Sequence, residues 1–203
     1  MEGRDTTGGR DFSGSIRESS ETILSLVDQA GVIGEICDLL IGVLRTGGKI
    51  LTAGNGGSAA EALHMAEELV GRFRSDRVSL SAVCLAADPT LMTCIGNDYG
   101  FDHVFGRQIE GLGRPGDALM LFSTSGAGRN LDLALMAARK AGMKTVCLLG
   151  RDGGAAAGQA DAELIVRSER TERIQEAHQV VLHLVLDVIE AAYTGETRAG
   201  SER

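Results

Sequence analysis

The chain has 203 residues, 43% hydrophobic and 24% charged, which suits one sizeable globular core and excludes a disordered chain. A net charge of −8 argues against a nonspecific nucleic-acid binder, and no apolar run reaches the length of a membrane span. Aromatics are only 3% with no Trp, so the core must be Leu, Val, Ile and Ala, and 28 glycines against two prolines favour tight strand-to-helix turns over a long linker.

Met1 to Gly14 is rich in Gly, Thr and Asp without periodicity and reads as disordered. A first helix is expected over about Ser15 to Ala30 and a second over Val32 to Arg45, with Gly31 breaking between them and Gly47-Gly48 ending the second. The second helix has apolar positions beyond one stripe (Cys37, Ile41, Leu44), which predicts two buried faces, one on its own sheet and one on a partner subunit. Lys49 to Ala53 reads as a buried strand, followed by a glycine turn and a strong helix from Ser58 to about Arg72. Leu80 to Leu85 is a second strand. Asp88-Pro89-Thr90 then fits an N-cap with Pro at the first helical position, opening a short helix to about Ile95. Gly96 to Gly100 reads as a loop and Phe101 to Leu112 as a further helix. Asp117 to Phe122 is a third strand, Arg129 to Ala141 a helix, Lys144 to Leu149 a fourth strand and Glu163 to Val166 a fifth. Thr171 to about Tyr193 is one long helix, and Gly195 to Arg203 a polar tail.

Strands alternating with helices predict an α/β fold of three layers, α/β/α, with a five-stranded parallel sheet, and one domain over residues 15–194. Ligands in such sheets sit beyond the carboxyl ends of the strands. Two polar glycine turns, Gly54 to Ser58 and Ser123 to Gly128, fall at strand carboxyl ends and are placed to share one site. The N-terminus is polar and lacks the apolar stretch of a signal peptide, and Cys37, Cys84, Cys94 and Cys147 have no paired spacing. Both features favour reduced thiols in a cytoplasm.

The first turn, GNGGS, lacks the spacing of a dinucleotide fingerprint and the lysine of a P-loop. Strand, glycine turn and helix still aim backbone N–H groups and a positive helix end at an anion. Ser123-Thr124-Ser125-Gly126 adds hydroxyls to the same geometry, as a phosphate clamp or an ordinary Ser/Thr turn. His64 and Glu68 are four apart on one helix face, suited to holding a metal, to acid/base work, or to neither. On the last helix Gln175 and His183 are eight apart, which separates them by about 80° and 12 Å, with His178 between them.

Five ordered segments resemble the phosphoheptose isomerases of the SIS (sugar isomerase) superfamily: GNGGSAAEALHMAEELVGRF, GNDYGFDHVFGRQIEGLGRPGD, STSG, ARKAGMKTVCLLGRDGG and RIQEAHQVVLHLV. The resemblance covers about Gly48 to Glu190. It implies the SIS fold, with the two N-terminal helices used in oligomerisation, and a homotetramer with sites between subunits. It implies a phosphosugar substrate, D-sedoheptulose 7-phosphate, and a Zn2+ ion held by His64, Glu68, Gln175 and His183. Glu68 and His183 are the implied catalytic pair. Implied substrate contacts are Asn55, Gly56, Gly57, Ser58, Glu68, Arg72, Asn97, Asp98, Ser123, Thr124, Ser125 and Gln175. No nucleic acid or membrane partner is implied. Rival readings are an isomerase of another phosphosugar and a non-catalytic binding protein of the same fold. Two departures stand out. Gly126-Ala127-Gly128 replaces the usual Gly-Asn-Ser, so a hydroxyl is missing at Gly128, with Arg129 beside it to supply a charge. Restoring it by Gly128→Ser is expected to improve substrate binding or leave it unchanged. Glu61 stands where an Asp is common.

Overall fold

The computed structural model describes residues 11–194. The expected disorder of residues 1–10 and the polar tail from Gly195 lie outside the described residues. From Asp11 onward the expected disorder gives way to helix α1, Phe12–Leu24. Its start is fixed by Asp11, whose Oδ1 accepts the Gly14 N–H at 2.7 Å as an N-cap.

The break after α1 is a 3-10 turn, Ser25–Gln29, and Gly31 lies inside helix α2, Ala30–Arg45. The break falls there because the Gln29 side chain reaches the sheet edge. Its Nε2 donates to the Ile165 carbonyl at 3.1 Å and its Oε1 accepts the Ile165 N–H at 3.4 Å. Side-chain pairing of this kind blunts an otherwise open strand edge.

Strand β1 (Ile50–Gly54) leads into helix α3 (Gly57–Val70). Strand β2 is only Ala82–Cys84, shorter than the apolar run from Leu80, because the Leu80 N–H is taken by the Leu69 carbonyl of α3 at 3.0 Å. Helix α4 (Pro89–Asp98) is capped by Asp88, which accepts the N–H groups of Thr90 and Leu91 at 2.8 and 3.1 Å. It carries Asn97 and Asp98, which are helical rather than looped. A 3-10 turn, Phe101–His103, precedes helix α5 (Gly106–Leu112), so one expected helix is two elements. Strand β3 (Ala118–Ser123), helix α6 (Arg129–Lys140), strand β4 (Lys144–Gly150), strand β5 (Ala162–Val166) and helix α7 (Thr171–Tyr193) complete the described chain.

The strands form one parallel sheet in the order β2-β1-β3-β4-β5. Alternate side chains fill two cores. Ile50, Met120, Phe122, Val146, Leu148 and Leu164 face α2, α3 and α7, while Leu51, Leu119, Leu121, Cys147 and Leu149 face α4, α5 and α6. The order in which successive strands are added reverses between β1 and β3, where Gly54 lies opposite Phe122. That reversal opens the crevice in which parallel sheets bind ligands, and both glycine turns border it.

The second apolar face expected of α2 is largely consumed within the chain: Cys37 and Leu44 are buried in its own core, and Ile41 packs against it. Large apolar side chains are exposed elsewhere, at Phe12, Ile16 and Leu24 on α1, Leu63 and Val70 on α3, and Leu184 and Val188 on α7.

Candidate active site

Beyond β1 the chain must turn sharply, and Gly56 does so at φ 56°, a left-handed conformation that disfavours other residues. Gly56 is also the N-cap of α3 and offers no side-chain cap. No side chain takes the first N–H groups of α3; those of Ser58 and Ala59 fold back to the Asn55 and Gly56 carbonyls at 3.0 and 3.1 Å, which leaves the Gly57 N–H at the helix start. Ser58 itself is buried.

The second turn is built alike. Ser123 Oγ accepts the Gly126 N–H at 3.0 Å, and Ser125 Oγ accepts the Ala127 N–H at 3.2 Å. Gly126 has φ 57°, and a Cβ there would collide with the Gly153 carbonyl of the turn after β4. Helix α6 then opens on Gly128, again an N-cap without a side-chain bond. The Ser123 hydroxyl is buried and shapes the turn, while Thr124 and Ser125 are half-buried. Two open helix ends thus flank one crevice, each with the partial positive charge of its dipole. They are tied together by a reciprocal amide pair that sequence reasoning missed. Asn55 Nδ2 donates to Asn130 Oδ1 at 3.1 Å, and Asn130 Nδ2 donates to Asn55 Oδ1 at 2.9 Å. Asn130 is buried in the first turn of α6. With its side chain so committed, Asn55 faces the crevice chiefly through its backbone.

The chemistry-bearing side chains meet between α3 and α7. His64 Nε2 and Glu68 Oε1 are 3.2 Å apart. The amide nitrogen of Gln179, one turn before His183, lies 2.8 Å from His64 Nδ1 and 3.0 Å from His183 Nε2. An amide N–H donates, so both of those ring nitrogens present lone pairs, and His64 carries its proton on Nε2, pointed at Glu68. The two rings stand edge to face at 5.4 Å, and Phe73 stacks on His183 at 5.8 Å. Partial burial, then the neighbouring His64 and the Arg74 charge, push the His183 imidazole below its ordinary value against the pull of Glu68. Gln175 lies two turns before His183 on α7, against the first turn: a Cβ at Gly57 would collide with its amide. It thus joins α7 to the turn, and Gln179 is the amide between the histidines. Gln179 had a signal in its i, i+4 spacing to His183.

Other expected contacts lie apart in the single chain. Arg72 is exposed just after α3. Asn97 and Asp98 are exposed in the last turn of α4, where Asn97 Nδ2 donates to Asp98 Oδ1 at 2.7 Å. Among the described residues none of the three hydrogen-bonds to the histidine cluster or the glycine turns.

The SIS domain model matches residues 12–150. A phosphoheptose isomerase of Sulfurimonas denitrificans is 45% identical over 179 residues, 88% of this chain and 92% of the relative. One of Geobacter sulfurreducens is 45% identical over 181 residues, covering 89% and 96%. The chain belongs to the phosphoheptose isomerase family of SIS-domain proteins. The solved structure of a phosphoheptose isomerase from Neisseria gonorrhoeae superposes with a TM-score of 0.79 at 43% identity, covering 89% of this chain and 95% of that one.

For a phosphoheptose isomerase the donor set here fits a divalent cation. Lone pairs of His64 and His183 converge on the hydrogen-bearing nitrogen of one amide, as they would on a cation, and carboxylates of Glu67 and Glu68 lie close to His64. Imidazole nitrogens with one carboxylate are a common zinc set.

Proposed function

We propose that this chain interconverts D-sedoheptulose 7-phosphate and D-glycero-D-manno-heptose 7-phosphate by an enediol route. The observation that supports this best is the meeting of His64, Glu68 and His183 beside two open helix N-termini. His64 lies seven residues along α3 from Gly57, about 10 Å. That separation lets an extended sugar phosphate bind its phosphate at the turns and present its carbonyl end to the histidines.

Binding at the phosphate end fixes the reacting carbons without touching them. Thr124, Ser125 and the N–H groups of the two helix starts hold the phosphate, and Asn130 keeps the turns in register. At the other end a base removes a proton from C1 of the ketose while the C2 oxygen gains one, giving the enediol. A proton returned to C2, with loss of the proton on O1, gives the aldose. His183 presents one lone pair on Nε2 and is held toward its neutral form, which suits a ligand to the cation; that lone pair cannot also take a proton, so the C1 proton falls to Glu68. Glu68, hydrogen-bonded to His64, is the acid/base. Zn2+ held by His64, Glu68, Gln175 and His183 would polarise the carbonyl and stabilise negative charge on the enediolate oxygens. Gln179 stands closer than Gln175 to the two imidazoles and is a further candidate for holding it. Arg72, Asn97 and Asp98 are proposed to reach substrate across a subunit boundary in a cytoplasmic homotetramer, whose contacts use the exposed apolar residues of α1, α3 and α7.

The test is turnover of ketose phosphates of five to seven carbons, before and after chelation and after Zn2+ is restored. The seven-carbon substrate should be preferred and chelation should abolish turnover. Preference for a shorter sugar would move the assignment to another phosphosugar, and full activity in metal-free protein would remove the metal.

A further inference from the structure

The last carbonyls of a helix have no partner within it. At the end of α3 a guanidinium takes them. Arg77 Nη2 donates to the carbonyl of Glu68 at 2.7 Å, and Nη1 donates to those of Leu69 at 2.9 Å and Val78 at 2.8 Å. Arg77 is buried in a segment whose other members are mostly exposed. Its Nε lies 4.0 Å from Oε2 of Glu190 on α7, which is also buried. Glu190 in turn accepts the N–H groups of Arg74 at 3.0 Å and Ser75 at 2.9 Å. Those two bonds fasten the chain after Phe73 to α7, and Phe73 lies against the His183 ring. Glu190 is seven residues beyond His183, so both lie on nearly one face of α7. Arg74 adds an exposed ion pair to Asp187, between them.

We infer that Arg77 and Glu190 are positioning residues for the reaction: Arg77 sets the backbone of Glu68, and Glu190 sets His183 through Phe73. The inference rests on the isomerase reading for its roles of Glu68 and His183. An apolar pair of similar size would join α3 to α7 at lower desolvation cost. It would not supply bonds to residues 68, 69, 74 and 75, which are the groups that aim the two side chains.

The experiment uses the full chain and three variants, Arg77→Lys, Glu190→Gln and Phe73→Leu. Three quantities are read: melting temperature, kinetics with sedoheptulose 7-phosphate, and imidazole 1H–15N correlations with His64 and His183 assigned by substitution. Arg77→Lys keeps the charge but loses the fork, and Glu190→Gln keeps the shape but loses the charge. Both should lower kcat by about tenfold or more with KM little changed, the pattern of lost transition-state interactions. Glu190→Gln and Phe73→Leu should shift the His183 ring signals and leave those of buried His178 in place. A purely structural clamp would lower the melting temperature alone; wild-type kcat with unmoved His183 signals in the folded variants overturns the inference. If a clamp variant fails to fold, Phe73→Leu still decides the link to His183. Should the wild-type protein fail to turn over any ketose phosphate, the isomerase reading falls, while the ring signals still report whether Glu190 and Phe73 orient His183.

Discussion

Replacing Asn130 by Asp tests whether phosphate binds between the two turns. Aspartate keeps the shape of the side chain and one acceptor for Asn55 Nδ2, but loses the donor that Asn55 Oδ1 accepts at 2.9 Å. One neutral hydrogen bond is worth about 1 kcal/mol, and Asn55 is exposed enough for water to replace part of it. The new charge matters more. With an effective dielectric near 20 and a separation of about 8 Å, one pair of unit charges repels by about 2 kcal/mol. The two effects together come to about 3 kcal/mol, or about a hundredfold in affinity. Asn130→Ala removes both bonds without adding charge and, with water replacing part of each, should cost about tenfold. The assay is the Michaelis constant for the heptulose phosphate, with inhibition by inorganic phosphate measured on the same proteins. Raising the salt should narrow the gap between the Asp and Ala variants, since screening acts only on the charge. If Asn130→Asp binds phosphate as well as Asn130→Ala does, the phosphate does not lie between these turns.

Gly128→Ser should weaken substrate binding rather than restore a missing hydroxyl, because Gly128 has φ 144° and a Cβ there would lie 3.1 Å from Asn130 Oδ1. The strain is of the order of 1–3 kcal/mol and should show both as a lower melting temperature and as a higher KM. Asp117→Asn should leave turnover per folded molecule unchanged, since Asp117 sits at the opposite, amino end of the sheet. Burial alone would raise the Asp117 carboxyl, but the Lys49 side chain and the N–H groups of Lys49 and Arg114 outweigh it and hold the carboxyl below its ordinary value. A depressed folded value stabilises above the unfolded value, near 4, and that stability is lost as pH falls through the folded one. Unfolding titrations should therefore show wild type ahead of Asp117→Asn by about 2–3 kcal/mol at neutral pH, with the gap closing as pH falls below the unfolded value and through the depressed folded one. Leu184→Glu and Val188→Glu place charges on the exposed apolar face of α7 and should shift light-scattering mass toward smaller species; an unchanged mass would place the contacts elsewhere.

The alternation of strands and helices was legible because β1, β3 and all but the first residue of β4 are continuous buried runs, and glycine turns mark the carboxyl ends of β1 and β3. His64, Glu68 and His183, the groups proposed to react, stood out by residue type, and the fold brings them together between α3 and α7. Asn97 and Asp98 were misread because Asn, Asp and Gly favour turns, whereas Asp88 and Pro89 nucleate α4 firmly enough to carry it through them. Gly128 was misread because composition shows only the absence of a hydroxyl, while the φ of 144° is a property of the folded loop.

What remained hidden has one physical character. Asn130 meets Asn55 across 75 residues, Gln179 meets His64 across 115, and Glu190 meets the Arg74 amide across 116. Each is a buried or half-buried polar side chain whose partner is set by the sheet order, so no local pattern marks it. Such groups are costly to bury unless the partner is in place. They therefore add little stability beyond what apolar residues would supply, and they fix orientation instead. In this fold the residues proposed to carry the reaction lie in short recognisable stretches. The residues that aim them depend on α3, α6 and α7 having already assembled around β1 and β3.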